Sequence, residues 1–139
     1  GANYDQVMEA PVTIALFTDT DLQKRARKIA RVGGVKNFTD EQLQYFMQNL
    51  PAEFARYDAQ QTSDYLALNA GLVAMNLVLA LTDQGIGTNI ILGFDKSKIN
   101  EVLDIEERFR PEVLITVGYA AEKVEPSYRL PVDEIIDKR

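Results

Sequence analysis

The 139-residue chain predicts an α+β fold with a small sheet, built as one domain over residues 1–139. Two short β-branched runs, Val12–Thr18 and Val113–Val117, bracket several helical segments, and such runs disfavour an all-helical protein. Between them lies an almost uninterrupted apolar helix that ends at Gly85. The polar segments carry capping and turn residues and no interdomain linker, repeat or low-complexity tract. At 46% hydrophobic the chain can bury a real core.

Taken in order, Val12–Thr18 follows Pro11 and ends at Asp19, and apolar residues on both faces predict a buried strand. Asp19 or Thr20 is placed to cap a helix running to about Val32, which Gly33-Gly34 ends. Leu22, Ala26, Ile29 and Ala30 form its apolar stripe. Lys24, Arg25, Arg27, Lys28 and Arg31 cover the rest, a pattern that reads as a solvated face more readily than as a phosphate patch. Thr39-Asp-Glu-Gln42 matches a capping box, with Phe38 and Leu43 spaced as a hydrophobic staple. The apolar face then continues through Phe46, Leu50, Phe54 and Tyr57 across Pro51, which predicts a kinked helix or two nearly coaxial ones.

The long helix is expected to start near Thr62–Ser63. Leu66, Leu68, Leu72, Val73, Met75, Leu77, Val78, Leu79 and Leu81 surround it, whereas a surface helix shows one stripe. It therefore needs cover on every side. The favoured arrangement puts one face on the sheet and the other on a twofold-related copy, against the alternative of full burial within one subunit. Beyond the Gly87–Gly93 run, Asp95 is placed to cap a short helix carrying Ile99, Val102 and Leu103. Pro111 introduces the strand Val113–Val117, closed by Gly118. The polar tail from Val124 has only Val132, Ile135 and Ile136 as anchors.

A formal charge of −6 and a pI near 4.7 argue against nucleic acid or an anionic membrane as the main partner. With neither cysteine nor histidine in the chain, thiolate chemistry, disulfides and the commonest metal ligands are out of reach, and a reducing cytoplasm is the simplest compartment. Any protein-borne acid–base work falls to Asp, Glu, Lys or Tyr, and redox chemistry would need a cofactor. No signal peptide is visible, and the apolar stretch Ala70–Leu81 is too short to span a bilayer. The chain opens on Gly1 rather than methionine, which leaves room for a preceding segment. Asp104, Glu106, Glu107, Arg108 and Arg110 read as a solvated connection, with no metal-site spacing.

Two features could hold a ligand. Gly93 ends a short apolar run just before Asp95, so backbone there can face a ligand with no side chain in the way; a plain tight turn is the other reading. Arg129 lies between Tyr128 and Leu130-Pro131, where a guanidinium could clamp a phosphate or simply be a surface arginine. Gly85-Ile-Gly87 follows a helix and precedes a strand, the reverse of a dinucleotide-binding fingerprint.

Together these segments resemble the FMN-dependent nitroreductase family. Asn76-Leu-Val-Leu-Ala80 with Gly85-Ile-Gly-Thr-Asn-Ile-Ile-Leu-Gly-Phe-Asp95 is similar to its central helix and glycine loop. Pro111-Glu-Val-Leu-Ile-Thr-Val-Gly-Tyr119 is similar to its last core strand, Tyr128-Arg-Leu-Pro131 to its C-terminal signature, and Ala10–Asp19 to its first strand after the early helices. The resemblance implies a small mixed or antiparallel sheet flanked by helices, with the long apolar helix at a homodimer interface. It also implies FMN as cofactor, NADH or NADPH as electron donor, and nitroaromatics, quinones or similar small molecules as acceptors. Ile90, Ile91, Leu92 and Gly93 would then meet the flavin and Arg129 its phosphate. No side chain is expected to act as a catalytic acid or base, and no metal is expected. The family's Arg-Arg-Ser-x-Arg and Ser-x-x-Asn-x-Gln-Pro-Trp motifs do not occur in these residues. Nor do the acidic residue and lysine that some members carry at the positions of Leu92 and Ser127. The chain is thus read as lacking the family's N-terminal portion. The alternative is a non-enzymatic dimeric binding module on the same core with an incomplete cofactor site.

Overall fold

The computed structural model describes residues 3–35, 37–122 and 128–137. The elements run α1 (Tyr4–Glu9), β1 (Val12–Asp19), α2 (Leu22–Val35), α3 (Asp40–Gln44), a π-helical turn (Tyr45–Asn49), α4 (Leu50–Phe54), α5 (Ala59–Asp83), β2 (Gly87–Ile91), α6 (Ile99–Val102), β3 (Phe109–Gly118) and α7 (Val132–Ile135). The three strands form one sheet in the order β1-β3-β2 with both pairings antiparallel. The expected α+β class with a small sheet holds.

Position in the sheet decides which strand is buried. The central strand β3 hides Glu112 through Thr116, while β1, read from sequence as buried, is a half-exposed edge strand. Its apolar residues on both faces do not reveal that one flank has no neighbour. Strand β3 also starts earlier than Val113. Leu16 pairs with Val113 but Phe17 pairs with Pro111, so Glu112 is the extra residue of a β-bulge. A bulge tolerates the missing proline N–H, and the strand passes through Pro111 instead of starting after it.

The helix boundaries follow side-chain caps that sequence alone left ambiguous. The Lys24 N–H donates to Asp21 Oδ1 at 2.9 Å, so Asp21 caps α2, and Asp19 accepts from the Asp21 N–H at 3.1 Å. Thr20, the other expected cap, instead donates from its hydroxyl to the Arg108 carbonyl at 2.8 Å. Helix α2 passes through Gly33-Gly34 and ends at Val35. Leu22, Ala26 and Ala30 are its buried stripe, whereas Ile29 is left exposed. At Thr39 the capping box forms with Gln42 as read. Phe38 stacks on Phe46, one turn beyond the expected Leu43, with ring centroids 5.5 Å apart. The predicted break at Pro51 takes the form of the π-helical turn just ahead of it, where the Leu50 N–H reaches back to the Tyr45 carbonyl.

Helix α5 starts at Ala59, before the expected Thr62–Ser63, because Asp58 and Gln61 form a capping box of their own. At its far end Gly85 adopts φ 74°. The Ile86 N–H reaches the Leu81 carbonyl at 3.0 Å and the Gly85 N–H the Thr82 carbonyl at 2.9 Å, the paired bonds of a Schellman terminus. Two apolar stripes run along the helix. Leu66, Ala70, Ala74, Leu77 and Leu81 share the inward face. Its first half joins Leu22, Ala26 and Phe54, and its second half joins Val113 and Ile115 of the sheet. Leu68, Leu72, Met75 and Leu79 lie about half a turn away and are exposed, Leu72 at 64%. Among the described residues, then, α5 is covered along one face and left open along the other.

Over 25 residues, with a mean hydropathy of 1.7 in its most apolar window, α5 is long and apolar enough to cross a bilayer by length and composition. This exceeds the Ala70–Leu81 stretch on which the sequence reading was based. Its inward stripe, however, sits on an open three-stranded sheet, whose free edges hydrocarbon does not tolerate.

Candidate functional site

Strand β2 delivers the glycine bend. Its last pair with β3 is Ile91↔Leu114, so the backbone of Leu92 and Gly93 lies beyond the ladder. Alternation along the strand buries Ile91 to 3% exposure and turns Ile90 and Leu92 outward, at 40% and 69%. The chain then bends, with the Phe94 N–H donating to the Leu92 carbonyl at 3.2 Å. Asn3 Nδ2 donates to the Gly93 carbonyl at 2.9 Å. A Cβ built on Gly93 would lie 3.2 Å from that same amide nitrogen. A second amide tie, Asn89 Nδ2 to Gln6 Oε1 at 2.6 Å, lays α1 along β2. Asn3 and Gln6 had no signal in the sequence, because their partners are 90 and 83 residues away.

After the bend, Asp95 Oδ1 accepts from the Ser97 N–H at 3.1 Å and hydroxyl at 2.6 Å, and Oδ2 pairs with Lys98 at 3.3 Å. The Ser97 hydroxyl, foremost, holds the Asp95 carboxyl below its ordinary range. Asp95 thus fixes a turn. Helix α6 begins after Lys98 with no side-chain cap, unlike the expected Asp95 cap.

Arg129 stands on the exposed C-terminal segment, where its Nη1 donates to the Tyr128 carbonyl at 2.8 Å. Among the described residues no hydrogen bond or ion pair joins it to Ile90, Ile91, Leu92 or Gly93. The structure therefore gathers the first four candidate residues on one strand end and leaves Arg129 on a separate segment. Val132, Ile135 and Ile136, expected as anchors, are exposed. Ser127 and Val124 lie outside the described residues.

The charged connection read as solvated is partly a lock on the fold. Glu112, 8% exposed at the bulge, receives Arg110 Nε at 2.7 Å and the Thr18 hydroxyl. Arg110 Nη1 continues to Ser63 Oγ at 2.8 Å and Nη2 to the Ser63 carbonyl at 3.1 Å, tying β3 to the first turns of α5. Arg108 pairs with Glu106 at 3.0 Å and Asp19 at 3.6 Å and lies over the Phe109 ring. The sequence showed these charges but not the contacts across 47 and more residues that desolvate them. Among the described residues no cluster of carboxylates is placed to hold a metal ion.

The bend thus offers an apolar edge, exposed backbone polar groups and no side chain at position 93. The nitroreductase family model matches residues 2–119. A protein of Streptococcus pyogenes serotype M6 that carries the name of an NAD(P)H nitroreductase is 62% identical over 138 residues, 99% of this chain and 68% of that protein. The crystal structure of a nitroreductase family protein from Streptococcus pneumoniae TIGR4 superposes with a TM-score of 0.96 at 83% identity, covering 100% of this chain and 70% of that one. A nitroreductase-type protein from Exiguobacterium sibiricum 255-15, solved in complex with FMN, superposes with a TM-score of 0.89 at 27% identity, covering 99% and 66%. The chain spans about two thirds of the length of these relatives.

Proposed function

As the chain belongs to the nitroreductase family, we propose that it forms the larger part of an FMN-dependent oxidoreductase. NADH or NADPH would supply the hydride, and nitroaromatics, quinones or similar small molecules would accept the electrons. The observation that carries the reading is the bend at Leu92–Gly93. Its backbone lies past the last sheet pair, a side chain is missing at position 93, and Ile90 is exposed beside it. That arrangement fits a flat ring system, which needs a shallow apolar edge and close main-chain groups to align it. FMN, when bound, supplies the hydride-carrying centre.

The remaining roles belong to this chain's own residues. Ile90 and Leu92 shield the ring edge from water, and the Leu92–Gly93 backbone presents polar groups to it. The Asn3 amide fixes the Gly93 carbonyl so that the bend is shaped before a ligand arrives. Arg129, exposed and among the described residues bonded to its neighbour's carbonyl alone, is placed to pair with a phosphate. No side chain at the bend is an acid or base, so protons come from solvent or from the substrate. The outward stripe of α5 docks on a twofold-related copy, making a homodimer in the cytoplasm. Titration of the chain with FMN, followed by NAD(P)H oxidation with a quinone or nitroaromatic, tests the reading. Saturable binding with flavin-dependent turnover is expected; a folded dimer that ignores FMN would instead identify the non-enzymatic module.

A further inference from the structure

A cleft of about 490 Å³ opens between the end of β1, α2, α4 and α5, and none of Ile90, Ile91, Leu92 or Gly93 lines it. Its volume falls in the range of sites that enclose small organic molecules. The floor is apolar and aromatic: Leu22, Phe54 and Leu66 are buried there, and Tyr65 packs beside Phe54 with its ring tilted by 57°. Ile29 and Val73, 43% and 55% exposed, leave uncovered apolar surface on the walls.

The rim carries the opposite character. Lys24, Arg25 and Lys28 of α2 line the cleft and are exposed, and among the described residues no ion pair engages any of them. The carboxylate that lines the cleft, Asp19, is already held by Arg108 at 3.6 Å. Arg108 adds a buried Nε that lies 3.0 Å from Glu106 but is aligned with no hydrogen-bond acceptor. Three uncompensated cations around an apolar hollow are out of keeping with a chain of net charge −6. A merely solvated helix face would not place them over open apolar surface.

We propose that this cleft binds a small amphipathic organic anion, with a ring or short chain on Phe54 and Leu66 and a carboxylate or sulfonate at Lys24 and Lys28. The site shares no residue with the bend at Gly93, so it stands or falls separately from the flavin reading. The probe is anilinonaphthalene sulfonate, displaced by decanoate or by decanol, with the full chain checked for folding by circular dichroism. Saturable dye binding is expected, weakened about tenfold in the Lys24→Glu/Lys28→Glu variant and reduced by added salt. Decanoate should displace the dye at concentrations about tenfold below those needed for decanol. Met75→Asp, on the opposite side of α5 from Val73, should leave binding unchanged. The proposal is overturned if the folded chain binds no dye, if the charge reversals have no effect, if decanol competes as well as decanoate, or if Met75→Asp removes the binding.

Discussion

Gly93 is closely approached from one side. Its φ is not left-handed, but a Cβ there would press on the Asn3 amide at 3.2 Å. Gly93→Val should therefore lower FMN affinity about tenfold or more. Its stability cost should stay near 1 kcal/mol, since the position is exposed; flavin titration and urea unfolding measure the two. Glu112 is the opposite case. Glu112→Ala strands Arg110 in a half-buried setting and should cost about 2–3 kcal/mol, read as a lower urea midpoint, with Glu112→Gln costing less. The bend was legible in the sequence because a glycine between an apolar run and Asp95 is a local signal. The Asn3, Gln6, Arg110 and Glu112 contacts were not, since hydrogen bonds between distant residues leave no periodic trace.

At the scale of elements, local chemistry was readable and its competition was not. The box at Thr39 and the glycine exit at Gly85 formed as read. Asp58 overrode Thr62 because it also finds a glutamine three residues on, and Asp21 overrode Asp19 and Thr20 in the same way, through a free N–H at Lys24. Gly85 is a stringent position: at φ 74° a side chain meets its own carbonyl. Gly85→Ala should cost about 1–2 kcal/mol and loosen the entry to β2, detectable as faster amide exchange at Ile86 and Gly87. The edge position of β1 depended on which strand took the centre, and that is a property of the assembled sheet.

For the molecule as a whole, periodicity showed that α5 was apolar all round, but not which stripe met the sheet. The structure assigns Leu66, Ala70 and Ala74 to the core and leaves Leu68, Leu72, Met75 and Leu79 uncovered. If the uncovered stripe joins two copies, Leu72→Asp should shift the chain from dimer to monomer in sedimentation velocity. Its secondary structure should be unchanged, because among the described residues that side chain is largely exposed. Strand β2 has a further consequence. Its five residues, Gly87–Ile91, act as a spacer of roughly 17 Å between the end of α5 and the bend. A spacer with a two-residue repeat tolerates no odd change in length. Deleting one residue from it would turn the inward Ile91 toward solvent and drive an outward neighbour into the core, so that insertions and deletions here should occur in pairs.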